Sequence, residues 1–359
     1  MTVTLVAGVH PTIPRASGIR SYVLGLARAL SKIGEDVVLV GVGPRANLDF
    51  ATFCSINPRY PVSTYTFIGS LARWARHNRF DRGGIIHGQR PDDLFALSSL
   101  RRRIRLVCTL HGDPRRGVSE RRVFGRLAYR FAERRSLAIV DRVISVSQSG
   151  LKVYQQRFPG LSEKMVFIPI GIDLGEFRPL DQKKARAALG LDDRLTILFA
   201  GRLESEKRIH SVANSLAAMP ESPQIVVAGE GRLRPELESS GDVKGLRFLG
   251  AIPHEKMPTV MSAADALVIP SAFEGFPTVA LEALACGRPV IATRVGDLPL
   301  LLEEGRTGMF FDGTSGSLSK AVTQLSSLGD TERPCQQAAL PFGWARVAPQ
   351  VVEAYRADG

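Results

Sequence analysis

The chain has 359 residues, 44% of them hydrophobic and 23% charged, with a formal net charge of +12. That length exceeds one ordinary core and suits two domains, and the composition is that of a globular fold rather than a fibrous or disordered chain. No apolar run reaches the roughly 18 residues of a membrane span, so no spanning helix is expected.

The opening stretch "MTVTLVAGVHPTIPRASG" lacks a basic leader and an apolar segment with a small-residue cleavage site. It is read as a first buried strand, "TVTLVAG", and not as a signal peptide. Gly18 then opens a helix, "IRSYVLGLARALSKIG", closed by Gly34. A bare glycine at a helix start lets a backbone amide approach a phosphate closely. Further short runs rich in Val and Ile follow: "DVVLVG", "GGIIHG", "RLVCTLHG" and "RVISVS". Strands alternating with helical patterns predict a buried parallel sheet covered by helices on both faces. "GVGPRA" at 41–46 matches a dinucleotide fingerprint loosely. It follows the second strand, Pro44 interrupts it and no acid lies about 20 residues on, so an oxidoreductase is set aside. Cys54, Cys108, Cys286 and Cys335 are far apart without metal-type spacing, as expected of reduced thiols in a cytoplasmic protein. His10 stands at a strand end near Gly18, whereas His77, His210 and His254 read as surface or helix-cap residues.

Charge is uneven. Residues 1–170 hold 27 Lys and Arg, 24 of them Arg, against 11 Asp and Glu, while the remainder holds 20 against 24. An anionic partner for the first half is expected. The Arg-rich stretch 101–135 carries Arg121, Arg122, Arg126, Arg130, Arg134 and Arg135 on a helical pattern, with Val123, Phe124, Leu127 and Phe131 between them. A solvated helix face is the plain reading. The interleaved apolar residues point further, to peripheral contact with anionic lipid headgroups. Nucleic acid is not expected, because no aromatic platform or known motif accompanies the charge.

"FIPIGIDLGEFRPL" at 167–180 mixes Pro, Gly and Asp and reads as a connection. Beyond it the alternation restarts with "LTILFAGR", "QIVVAGEG", "LRFLG", "ALVIPS", "PVIATRVG" and "GMFF". The expected architecture is therefore α/β: two Rossmann-like, doubly wound parallel-sheet domains facing across a cleft. Residues 1–168 form the first domain, 169–179 the connection and 180–340 the second domain. A last helix in 341–359, "FGWARVAPQVVEAYRA", crosses back to the first. Ligands in such sheets bind beyond the carboxyl ends of the strands.

The chemistry concentrates around "EGFPTVALE", 274–282. Glu274 stands at the carboxyl end of a strand, Pro277 suits a first helical turn, and Glu282 follows Glu274 by two turns. Amides near Phe276, Thr278 and Val279 would form an anion site strengthened by the helix dipole. Carboxylates on either side of a diphosphate could each accept hydrogen bonds from sugar hydroxyls. In "FAGRLESEKRI", Arg202 and Lys207 place two cations at a strand-to-helix mouth, as a diphosphate leaving group requires.

With these residues in order, the chain resembles the retaining, GT-B-fold glycosyltransferases of family 4, also called group 1, over nearly its whole length. The resemblance rests on the two glutamates, "AGRLESEK", "VAGEG", the run "LGAIPHEKMPTVMSAADALVIPSAFEGFPTVALEALACGRPVIATRVGDLPLLLEEGRTG", the connection and the tail. It implies that Arg202 and Lys207 hold the donor diphosphate, that Glu282 binds the ribose and that Glu274 holds the transferred sugar. Gly275 and Phe276 would lend amides beside it. It further implies that Gly18 meets the β-phosphate, that His111 in "CTLHGD" contacts the sugar and that the first domain binds the acceptor. Two departures stand out. Ser17 replaces a first-loop glycine, and "IIHGQ" offers His87 with Gln89 where many members have a second histidine.

The implied activity is metal-independent transfer, with retention, from a nucleotide-diphosphate sugar to a hydroxyl acceptor, lipid-linked or anionic, in envelope glycan or glycolipid synthesis. No cofactor is expected: two cations and a helix dipole stand where a metal would, and no D-x-D occurs. The implied location is cytoplasmic, on the inner face of the cell membrane. Two rivals remain: a GT-B sugar-nucleotide epimerase, and a catalytically silent sugar-nucleotide-binding partner of a membrane complex.

Overall fold

The computed structural model describes residues 1–13, 18–78, 83–98, 104–112, 123–239 and 246–357, with the backbone alone for 123–126 and 128. The chain divides into two compact units, Met1–Gly171 with Trp344–Gly359, and Ile172–Gly343.

The first unit contains β1 (Thr2–Val6), β2 (Asp36–Gly41), β3 (Thr52–Ser55), β4 (Ile85–Gly88), β5 (Arg105–Leu110), β6 (Arg142–Ser145) and β7 (Met165–Phe167). Among the described residues they form one parallel sheet in the order β3-β2-β1-β4-β5-β6-β7. The order reverses between β1 and β4, so the helices connecting the two halves are crossovers of a doubly wound sheet. All four residues of β4 are buried. Successive side chains point to opposite faces, so both faces of the sheet are covered there. Val6, Val40, Ile86, Leu106 and Val143 share the core.

The second unit holds β8 (Thr196–Ala200), β9 (Gln224–Ala228), β10 (Leu246–Gly250), β11 (Ala266–Ile269), β12 (Val290–Thr293) and β13 (Gly308–Phe311). Their order is β10-β9-β8-β11-β12-β13, again parallel throughout. Strands β9, β11 and β12 are buried along their whole length. Ile197, Phe199, Ile225, Val227, Val268 and Ile291 build this core.

Strands β3 and β7 escaped the sequence reading because both lie at sheet edges and are short, so neither needs a long apolar run. β7 falls just where the connecting segment was expected to begin.

The C-terminal helix Trp344–Arg356 belongs to the first unit. The Trp344 indole lies against Gly25, in the helix Gly18–Lys32, and against Gly171; a Cβ at either glycine would collide with the ring. At the far end of the helix, Tyr355 Oη hydrogen-bonds His87 Nδ1 at 2.7 Å.

Candidate active site

In the second unit, β8 and β11 are neighbours, with Ala266 opposite Ile197 and Leu267 opposite Leu198. Their carboxyl ends therefore emerge side by side, and the loops that follow meet. The Ala272 amide donates to Glu206 O at 2.9 Å. Lys207, in the tight turn Ser205–Lys207, donates from Nζ to Glu274 Oε1 at 2.5 Å. Ser271 Oγ donates to the same oxygen at 2.6 Å. Glu274 is thus fixed by a cation and a hydroxyl, with a side chain 11% exposed.

The backbone of this loop is braced from β12. Thr293 Oγ1 donates to Ser271 O at 2.6 Å, and the Asp297 amide donates to Gly275 O at 2.9 Å. Gly296 has φ +57° and lies directly beneath the carbonyls of Glu274 and Gly275, where a Cβ would collide with both. Ser271, Thr293 and Gly296 escaped the sequence reading; the signal for Ser271 was its place three residues ahead of Glu274.

The helix Thr278–Ala285 follows. Pro277 is its N-cap, with φ −79° and ψ 99°, and not a first-turn residue as expected. No side chain caps the helix, so the amides of Thr278 and Val279 keep the donor capacity of an open helix start. Phe276 is buried against Phe342, ring centroids 5.6 Å apart. Glu282 lies little more than one turn into the helix and is 8% exposed. Burial, with the Glu176 carboxylate nearby, pushes its carboxyl up to about 7. Arg202 differs from Lys207: its side chain is 61% exposed, and it pairs with Glu206 at 3.2 Å.

In the first unit, Gly18 is the first residue of its helix, and no described atom lies within 4 Å of where a Cβ would stand. Packing therefore does not account for a glycine there. His111 follows β5 and donates from Nε2 to Gln89 Oε1 at 2.9 Å, with its ring edge-on to Tyr22 at 4.8 Å. Burial pushes the imidazole down to about 3, so at neutral pH it acts as an uncharged hydrogen-bonding group. Gln89, standing where the second histidine was sought, is buried, and its Nε2 has no partner among the described residues. His87 is structural, bound through Nδ1 to Tyr355 and through Nε2 to Thr109 Oγ1 at 2.5 Å. Buried Asp93 also escaped the sequence reading; burial pushes it up to about 8, against the pull of Arg90 and with a further push from Asp92.

The remaining histidines have local partners. His10 is buried: the Ile13 amide donates to its Nδ1 at 2.9 Å, and its Nε2 donates to the Pro44 carbonyl of "GVGPRA". His77 Nδ1 lies 2.8 Å from Arg73 O, His210 is 3.7 Å from Glu236, and His254 packs on Phe177. The cysteines are unpaired. Among the described residues no group of His, Cys, Asp and Glu is arranged to hold a metal ion, and no helix is long and apolar enough to cross a membrane. Much of 101–135, including Arg121 and Arg122 and the side chains of Val123, Phe124 and Arg126, lies outside the described residues, as does Ser17.

Comparison with known proteins assigns both units. Residues 16–176 match the family model described as Glycosyltransferase Family 4, and residues 194–327 match Glycosyl transferases group 1. D-inositol 3-phosphate glycosyltransferase of Rhodococcus erythropolis (strain PR4 / NBRC 100887) is 30% identical over 249 residues, 64% of this chain and 56% of the relative. The chain thus spans about half the length of the curated relatives it matches. Sucrose-phosphate synthase (tll1590) from Thermosynechococcus elongatus shares the fold with a TM-score of 0.83 at 22% identity, covering 99% of this chain and 98% of the other. Anabaena Alr3699/HepE, solved in complex with UDP and glucose, gives 0.77 at 20% identity, covering 98% of each chain. The two family matches fall on the two parallel-sheet units just described, and the chain belongs to the family 4, group 1 glycosyltransferases, with the α/β units of the GT-B fold.

Proposed function

We propose that the protein is a metal-independent, retaining glycosyltransferase that moves a sugar from a nucleoside-diphosphate sugar to a hydroxyl acceptor. The observation that carries this reading is the Lys207–Glu274 pair at the joined carboxyl ends of β8 and β11, beside an uncapped helix start. A donor diphosphate would draw Lys207 toward itself and add Arg202 and the amides of Thr278 and Val279. Glu274 would then be released to accept hydrogen bonds from the sugar. Glu282 would hold the ribose diol. As the bond from the anomeric carbon to the diphosphate oxygen breaks, the electron pair leaves with that oxygen. The cations and the helix start stabilise the charge that grows there. The acceptor oxygen bonds to the same face of the anomeric carbon, and its proton passes to the departing phosphate. Within the first unit, the open helix start at Gly18 and the neutral imidazole of His111 are the proposed substrate contacts.

A uracil nucleotide is the favoured donor base, since HepE was solved with UDP and with UDP-glucose. The acceptor is proposed to carry negative charge: the first half of this chain is strongly basic, and the inositol-phosphate glycosyltransferases are related to it. Peripheral contact with an anionic membrane and a role in envelope glycan or glycolipid synthesis belong to the same proposal. On the helix Val123–Ile139, Leu127 is 60% and Phe131 61% exposed, next to exposed Arg130, Arg134 and Arg135. Turnover of a UDP-sugar with acceptor, in the presence of EDTA, tests the reading. Activity that EDTA abolishes and Mg²⁺ or Mn²⁺ restores would overturn metal independence. A donor altered without any acceptor would favour the epimerase.

A further inference from the structure

A pocket of about 660 Å³ opens in the second unit, beyond the carboxyl ends of β11, β12 and β13, lined by Arg208, Arg294 and Lys320 among others. Its acids are already engaged. Glu304 pairs with Arg294. Asp312 accepts from Ser317 Oγ, from Thr314 Oγ1 at 2.7 Å and from the Thr314 amide at 2.9 Å, and these bonds, the Ser317 hydroxyl foremost, hold it down at about 2. Its cations are not all engaged. Arg294 also lies over the Phe310 ring at 4.1 Å. The side chains of Arg208 and Lys320 have no hydrogen-bond or ion-pair partner among the described residues.

Arg208 carries a second, independent signal. It has φ +50° and stands as the N-cap of the helix Ile209–Ala217, without a side-chain capping bond. Glycine or asparagine suits that backbone, and serine, threonine or aspartate suits that cap. Arginine serves neither local need. A strained residue that breaks both rules and lines a cavity is a candidate for a ligand contact.

We propose that this pocket is a second ligand site in the donor unit, and that it takes a phosphorylated small molecule of sugar size. Two unengaged cations and a third stacked on an aromatic ring suit a phosphate ester. The volume exceeds what a bare phosphate fills. The pocket shares a wall with the donor machinery. Arg208 follows Lys207 in the chain, and Ser271 both lines the pocket and donates to Glu274. Occupancy therefore bears on the Lys207–Glu274 pair; this coupling, unlike the binding itself, rests on the function proposed above.

Isothermal titration of the full chain with glucose 6-phosphate, and separately with inorganic phosphate, tests the site. The variants are Lys320→Gln, the double variant Arg208→Asn/Lys320→Gln, and Arg202→Ala; asparagine tolerates the left-handed backbone. The expected result is one ester bound per chain, weakened at least about tenfold by the double variant and unchanged by Arg202→Ala. UDP should not displace it, and its presence should change the affinity for UDP. No binding, or binding untouched by the double variant, overturns the proposal. Loss with Arg202→Ala alone would place the probe in the donor cradle and also overturn it. Inorganic phosphate binding as tightly as the ester would overturn the sugar-phosphate assignment. Ester binding without any UDP binding would uphold the site while contradicting the donor reading.

Discussion

Glu282 is 8% exposed, and its carboxyl is raised from 4.5 to about 7, first by burial and then by Glu176. A raised carboxyl stabilises the fold while it is protonated. That contribution is full below the unfolded value and is lost as pH rises through about 7. The ceiling is roughly 3 kcal/mol. Glu282→Gln should therefore gain stability relative to the parent between about pH 5 and about pH 8, by up to roughly 3 kcal/mol in urea unfolding. Affinity for a nucleotide sugar, whose diphosphate has no ionisation in this range, should rise with pH through about 7 in the parent and stay flat in the variant, because only the ionised acid accepts from both ribose hydroxyls. A pH-independent parent would contradict this. Lys207 and Arg202 separate structure from binding. Lys207 pairs with a carboxylate that is 11% exposed, whereas the Arg202–Glu206 pair is open to solvent. Without ligand, Lys207→Ala should cost about 1–2 kcal/mol and Arg202→Ala less than about 0.5 kcal/mol. Both should weaken donor binding, as titration would read.

The element-scale account rests on the loop between β11 and the helix Thr278–Ala285, braced by Thr293, Gly296 and Asp297. Gly296→Ala has neither the backbone nor the space it needs and should cost about 2–4 kcal/mol, with loss of donor binding before global unfolding. Stability and binding both unchanged would contradict the bracing role. Glu274, Arg202 and Lys207 could be picked out because each follows a strand end that short-range pattern reveals, and Glu282 because of its spacing from Glu274 along the helix that follows. The brace was not, since it comes from β12, about twenty residues downstream, and only the parallel pairing of β11 with β12 brings it near. Strands β3 and β7 were hidden because edge positions relax the demand for apolar residues. On the exposed face of the helix Val123–Ile139, the charge pattern was legible but its partner was not. Vesicles containing anionic lipid should pellet the protein at low salt, and Phe131→Ser should reduce the bound fraction severalfold. Equal binding to neutral vesicles would contradict the electrostatic part.

At the scale of the whole molecule, periodicity was enough to give two α/β sheets, because every central strand is buried on both faces and must be apolar. The place of the last helix is set by contacts more than 150 residues apart in sequence, Trp344 with Gly171 and Gly25, and Tyr355 with His87. Trp344→Ala should destabilise the first unit by about 3–5 kcal/mol, seen as faster amide exchange in Gly18–Lys32. Slower or unchanged exchange would contradict that docking.

The most direct test of the central claim is a thermal shift of the full chain against UDP, GDP and ADP in EDTA, for the parent and for Lys207→Ala. A ligand that binds only the native state raises the melting temperature by mass action. The account predicts that one nucleoside diphosphate stabilises the parent and that Lys207→Ala loses most of the shift. No shift with any of them, or an equal shift in the variant, would contradict a donor site built on Lys207 and Glu274.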